Sequence, residues 1–149
     1  MKTKMRDPIT KFDGEYEFLS NFYDTRVEYE GLTYPSSENA FQAAKTLNMS
    51  ARKAFTLWNM YPGMAKHLGK ALTLRSDWDN VRLQVMEDIL ASKFSHFVLK
   101  QKLLATEDAE LIEGNTWGDT FWGVCNGKGT NFLGVLLMDL RKKLTMPSA

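Results

Sequence analysis

Three groups of residues in this 149-residue chain are of types and spacings that suit chemistry: a short acid-to-lysine run, a tryptophan-rich loop and a glycine-lysine turn. Glu38, Gln42 and Lys45 stand at i, i+4 and i+7, so on a helix they share one face. Spacing alone favours an exposed polar surface there, on which Glu38 answers the dipole of a helix N-terminus. The preceding Tyr34-Pro35-Ser36-Ser37 argues the other way, because an aromatic ring and a rigid turn against a carboxylate would partly desolvate it and suit it to proton transfer.

Asn115-Thr116-Trp117-Gly118-Asp119-Thr120-Phe121-Trp122-Gly123 crowds two indoles, an acid and two glycines into a stretch with neither helical nor alternating period. Indole faces stack bases at roughly 1 to 3 kcal/mol each, and glycine lets a backbone approach a ligand. A site and an aromatic plug under a long loop are equally good readings of it. In Gly127-Lys128-Gly129-Thr130-Asn131, running into a helix, backbone N–H groups and Lys128 could meet a phosphate, although a plain turn explains the run as well. Arg75, with Trp78 close by, is a further candidate anion clamp. His67 and His96 lack partners at metal-ligand spacing, so both read as structural, with no metal site expected. Cys125 reads as a packed residue, having no basic neighbour to activate it.

The elements that must position these groups are mostly helical. Tyr16, Phe18 and Phe22-Tyr23 read as short extended pieces, and Arg26–Tyr29 with Leu32–Tyr34 form a hairpin about Glu30-Gly31. After Pro35 a helix capped by Ser36 or Ser37 carries Ala40, Ala44 and Leu47 on one face. Ser50 caps a second helix with Ala54, Phe55 and Trp58, ended by Tyr61-Pro62-Gly63, and Met64 to Leu68 is a short third. Asp77 caps the strongest, with Val81, Val85 and Ile89 as its stripe toward Phe94, and Ser95 starts another with Leu99 and Leu103. Residues 110–124 read as irregular or extended. Asn131 caps a last helix bearing Leu133, Leu136, Leu137, Leu140 and Leu144, whose Arg141-Lys142-Lys143 reads as a solvated, dipole-matched end.

The chain is long enough for one domain with a substantial core, and 44% hydrophobic against 25% charged residues is an ordinary globular balance. A net charge of +1 gives no global field toward DNA or an anionic membrane, so any phosphate contact must be local. A single cysteine and the lack of a charged-then-apolar leader predict a cytoplasmic location, and no apolar run approaches the roughly 20 residues of a membrane span.

Taken in order, Phe18-Leu19-Ser20-Asn21-Phe22, Tyr34-Pro35-Ser36-Ser37-Glu38-Asn39, Phe41-Gln42-Ala43-Ala44-Lys45, Leu74-Arg75-Ser76-Asp77-Trp78, Trp117-Gly118-Asp119, Gly127-Lys128-Gly129-Thr130-Asn131 and Leu133-Gly134-Val135-Leu136-Leu137-Met138 resemble the NADAR or YbiA-like family. The resemblance spans about Phe12 to Leu144 and implies an α+β, mostly helical single domain over 12–145 with a small N-terminal β-hairpin; the polar residues before it, 1–11, read as a mobile stretch. It implies an N-glycosidase that works without a cofactor on a ribose C1′–N bond. The partner would be a small nucleotide-type substrate, either an ADP-ribosylated guanine, free or in nucleic acid, or a phosphoribosylamino intermediate of riboflavin synthesis. By motif, Glu38 and Asp119 would be the catalytic carboxylates, and Asn21, Phe22, Lys45, Arg75, Trp78, Trp117, Lys128 and Gly129 would bind substrate. The competing class is a non-catalytic module that binds NAD or ADP-ribose. Asn39 stands where the family often has histidine, and Thr120 to Cys125 is longer than in the shortest relatives.

Overall fold

The computed structural model describes residues 6–146, which divide into two compact units, Asn21–Ser95 and a second made of the segments up to Ser20 and from His96. Within the first unit, β1 (Val27–Tyr29) and β2 (Leu32–Tyr34) pair antiparallel with Val27 opposite Tyr34. Glu30 and Gly31 both have positive φ, 45° and 84°, the condition for the tight turn that suits strand twist. Val27, Tyr29 and Tyr34 turn inward and Glu28 and Thr33 outward, so the hairpin has one apolar face.

Against that face lies α1 (Ser37–Ala43), whose N-cap is Ser36: its Oγ accepts the Asn39 N–H at 3.1 Å. Every residue of α1 is buried, because the helix also packs on α2 (Met49–Ala54), α3 (Pro62–Gly69) and α4 (Trp78–Lys93). Its cap is as the spacing predicts, but Leu47 falls outside it and is exposed. The α2 helix is capped by Asn48, which accepts the Ala51 N–H, and not by Ser50; Trp58 lies beyond its end and is 82% exposed. Pro62 opens α3 at the first helical position, where a missing N–H costs nothing. In α4, Val85, Met86, Ile89 and Leu90 form the buried stripe, and the Glu28 N–H donates to Ser92 Oγ at 2.9 Å.

In the second unit a 3₁₀ turn over Gly14–Leu19 replaces the extended pieces expected at Tyr16 and Phe18. Adjacent Phe18 and Leu19 are both buried, as a tight helical turn allows and a strand with one solvent face does not. Ile9 is buried too and bridges Leu111 in parallel, its N–H donating to Glu110 O at 2.8 Å; residues 1–5 of the stretch expected to be mobile lie outside the described residues. α5 (Phe97–Leu104) follows N-cap His96 and packs Leu99 and Leu103 toward α6 (Phe132–Thr145). Between them β3 (Gly114–Asn115) and β4 (Val124–Cys125) make a two-residue parallel pairing in otherwise irregular chain.

The end of α6 departs from the expected solvated run. Arg141 is buried and donates to Thr106 Oγ1 at 2.9 Å, and burial pushes its pKa down; Lys142 and Lys143 are exposed. Among the described residues no helix is long and apolar enough to cross a membrane.

Candidate active site

Glu38 stands in the first turn of α1, its N–H donating to Asn21 O at 2.9 Å, and the residue is only 8% exposed. The exposed-surface reading of this face is therefore overturned: α1 is enclosed on all sides, so its polar face is inside as well. One turn on, Gln42 Nε2 donates to Glu38 Oε1 at 2.8 Å. That bond fixes the carboxamide's orientation and leaves Gln42 Oε1, buried and with no hydrogen-bond partner among the described residues, lying against Gly69 of α3. A Cβ at Gly69 would meet Oε1 and come within 2.7 Å of Gln42 Cδ, so only glycine admits the carboxamide there. Just past α1, Lys45 Nζ lies 5.7 Å from the Phe41 ring centroid. Burial pushes the Lys45 ammonium below its usual range, and the Glu38 charge acts in the opposite sense.

Asn39 is fully buried and points away from this polar row. Its Nδ2 donates to Phe55 O and Met60 O at 3.0 and 2.7 Å, and its Oδ1 accepts from Ser36 Oγ. The position after Glu38 is thus a brace between α1 and the α2–α3 connection.

Arg75 donates its backbone N–H to Lys45 O at 2.8 Å, which brings the start of α4 to the end of α1. Its guanidinium is already engaged: Nε and Nη2 donate to Asp77 Oδ1 and Oδ2 at 2.6 and 3.0 Å, a bidentate fork that raises the Arg75 pKa and lowers that of Asp77. Asp77 consequently makes no side-chain cap on α4. Trp78 is 6% exposed and packs tilted on Phe41, centroids 5.1 Å apart, so its indole is a wall behind α1 and not an open stacking face. Phe22 is exposed, and Asn21 is half-buried with Nδ2 at 3.7 Å from Met86 Sδ.

In the other unit, Asp119 Oδ1 accepts the N–H groups of Phe121 and Trp122 at 3.1 and 2.9 Å. Asn115 clasps the same loop from the far side, accepting the Asp119 N–H and donating to Asp119 O. Asp119 Oδ2 accepts no hydrogen bond among the described residues. Phe121 packs edge-on to Trp122 and against Phe132, the plug reading, while Trp117 stands outside that cluster and is 61% exposed.

Lys128 and Gly129 are exposed in a turn closed by paired Cys125 and Lys128 backbone bonds, and Cys125 is buried. The expected helix N-terminus for phosphate is occupied from within. The N–H groups of Thr130, Phe132 and Leu133 donate to the carbonyls of Thr120, Phe121 and Trp122, so this segment offers an anion the Lys128 ammonium and not the entry to α6. Asn131, at φ 53°, accepts the Glu113 N–H and donates to Leu111 O, fastening the loop and leaving α6 without a side-chain cap. His67 and His96 are exposed, and the described residues contain no group of three potential metal ligands.

The candidate residues thus fall into two sets, Asn21, Phe22, Glu38, Lys45, Arg75 and Trp78 in one unit and Trp117, Asp119, Lys128 and Gly129 in the other. Gln42 and Gly69 join the first set although motif matching did not select them as site residues; the i+4 spacing from Glu38 was the available signal for Gln42.

Comparison with known proteins agrees with this arrangement of motifs. The model of the NADAR domain matches residues 9–145. The N-glycosidase YbiA of Shigella boydii is 39% identical over 95% of this chain and 92% of its own length. A riboflavin biosynthesis protein of Vibrio vulnificus is 34% identical over 94% of this chain but only 39% of that longer protein. The solution NMR structure of Escherichia coli YbiA superposes with a TM-score of 0.79 at 37% identity, covering 95% of this chain and 87% of that one. The chain belongs to the NADAR domain family and is a hydrolase of N-glycosyl bonds.

Proposed function

We propose that the bond cleaved is the C1′–N bond of a phosphorylated N-riboside, with ADP-ribosylated guanine and a phosphoribosylamino-pyrimidine as the two candidate substrates. The observation that carries this reading is the buried Glu38 carboxylate, held by Gln42 at 2.8 Å beside a half-buried lysine. As C1′–N stretches, the ribose gains positive charge while the leaving nitrogen gains the bonding pair. A fixed carboxylate in a poorly solvated place stabilises that cation more than the neutral ground state. Water then bonds to C1′, its proton passing to a carboxylate and the leaving nitrogen being protonated in turn. Asp119 is the other acid the motifs supply, and exposed Trp117 is a face on which a leaving base can stack. The riboflavin-synthesis relative supports the pyrimidine branch by its name.

The test is release of guanine or aminopyrimidine from each candidate, with binding of ADP-ribose followed by calorimetry alongside. Product from either substrate, lost in Glu38→Gln, supports the reading. Binding without product from either would show that the N-glycosyl bond cleaved belongs to a different substrate.

A further inference from the structure

Asp119 lies in a loop whose Trp117, Gly118 and Thr120 are all exposed, with Gly118 at φ 86°. One side chain takes both backbone groups of Asp119: Asn115 Oδ1 accepts its N–H at 3.0 Å, and Asn115 Nδ2 donates to its carbonyl at 2.8 Å. The direction of the Asp119 carboxylate therefore depends on how the Asn115 carboxamide is held. Its Nδ2 has a second hydrogen, which turns back to Glu113, with Oε2 at 3.1 Å and the backbone carbonyl at 3.4 Å. Glu113 is itself fixed on three sides. Its N–H donates to Asn131 Oδ1 at 2.9 Å, and its carbonyl accepts the Val124 N–H at 2.9 Å. Its Oε2 lies against buried Gly123, where a Cβ would collide with both Oε2 and the Glu113 carbonyl. All of these residues belong to one unit.

We propose that Glu113 is a positioning residue, which sets the place of the Asp119 carboxylate through the Asn115 carboxamide. A carboxylate acceptor makes a stronger bond than a neutral one, so Glu113 holds Asn115 in one orientation, Oδ1 toward the Asp119 N–H. The chain of contacts then continues to the far side of the loop, where Asp119 Oδ1 accepts the Phe121 and Trp122 N–H groups. Displacing a proton-transferring acid by about 1 Å costs roughly a hundredfold in rate, which is the reason to brace an exposed loop so closely. Glu113 acts on the loop and not on the substrate, so a neutral acceptor of the same shape should replace it. The proposal rests on the reading of Asp119 as the second acid for its use in turnover, but the brace itself can be measured without turnover.

The experiment compares the parent with Glu113→Leu and Glu113→Gln, all checked by thermal melting. Amide hydrogen exchange at Asp119, Phe121 and Trp122 is followed by NMR, and kcat and KM are measured on the two candidate N-ribosides. Exchange at the three amides should quicken by about tenfold or more in Glu113→Leu, the scale of one lost hydrogen bond to a charged group, with the amides of α6 unchanged. In the same variant kcat should fall by about tenfold or more with KM little changed, and the substitution should cost nothing further in an Asp119→Asn background. Glu113→Gln, which keeps an acceptor for Asn115, should stay within about threefold of the parent in both exchange and kcat. If Glu113→Leu melts well below the parent, Asn115→Asp makes the same comparison, since it keeps the acceptor for the Asp119 N–H and loses both donated bonds; it should loosen Phe121 and Trp122 alike. Parental exchange in Glu113→Leu, or in Asn115→Asp where that stands in, would overturn the proposal. A kcat lost equally in Glu113→Gln and Glu113→Leu, with exchange in the glutamine variant parental, would also overturn it, because the charge and not the brace would then matter. Faster exchange in Glu113→Leu with parental kcat in both that variant and Asp119→Asn would uphold the brace and remove Asp119 from the proposed function.

Discussion

Gln42 reaches across one turn of α1 to donate Nε2–H to Glu38 Oε1 at 2.8 Å, with both side chains buried. Replacing it with leucine keeps the volume and removes the bond. A hydrogen bond to a charged group is worth about 1.5 to 3 kcal/mol, so Gln42→Leu should lower kcat by roughly ten- to a hundredfold if that carboxylate acts in the transition state. Steady-state kinetics reads the effect, and a kcat equal to the parent's would show that the bond has no part in catalysis.

Gly69→Ala should cost activity through the same carboxamide. Alanine favours a helix by about 1 kcal/mol over glycine, yet the new methyl would collide with Gln42 Oε1 and Cδ. The collision should win, lowering both melting temperature and kcat. In a Gln42→Ala background the same change should cost little more, a non-additivity that a double-mutant cycle measures.

Asp119 separates structure from charge. Asparagine retains an oxygen for the Phe121 and Trp122 N–H groups, whereas alanine leaves both without their acceptor. Asp119→Asn should therefore melt near the parent and lose turnover. Asp119→Ala should lose turnover and also about 1 to 2 kcal/mol of stability, read by denaturant titration.

Lys93 is fully buried in α4, its ammonium 5.3 Å from the Phe94 ring centroid and 5.7 Å from that of Tyr23, and burial pushes its pKa down to about 7. The unfolded chain holds the Lys93 proton up to its ordinary value of 10.5, so between those limits unfolding takes up a proton. Stability should thus rise as pH goes from about 7 toward 10.5, by on the order of a few kcal/mol, with no further loss from this group below 7. Lys93→Met should remove that slope and raise the melting temperature at pH 7. Denaturant midpoints across pH 7 to 10 check it, and identical slopes in both proteins would contradict it.

Local grammar made the hairpin and most helices legible. Glu30-Gly31 demanded a tight turn, and Ser36 before a helical stretch demanded a cap. The polar row of α1 was misread because i, i+4 spacing identifies a face but not what covers it. The covering comes from α3 and α4, whose closeness depends on Gly69 and on the Arg75–Lys45 bond. Arg141 was misread for the same reason, its partner Thr106 being 35 residues away. Asn131 is diverted to Glu113 and Leu111, 18 and 20 residues away, and carries no local signal of that choice, whereas the Arg75–Asp77 fork that takes the cap from α4 is local and competes with it within two residues.

Single-turnover cleavage by Glu38→Gln reads out whether the Glu38 carboxylate stabilises charge at C1′. Glutamine keeps the side chain's shape and an acceptor for Gln42 while removing the charge. The cleavage rate of the phosphorylated N-riboside should fall by about a hundredfold or more, with ADP-ribose affinity within a few-fold of the parent's. A cleavage rate equal to the parent's would contradict it.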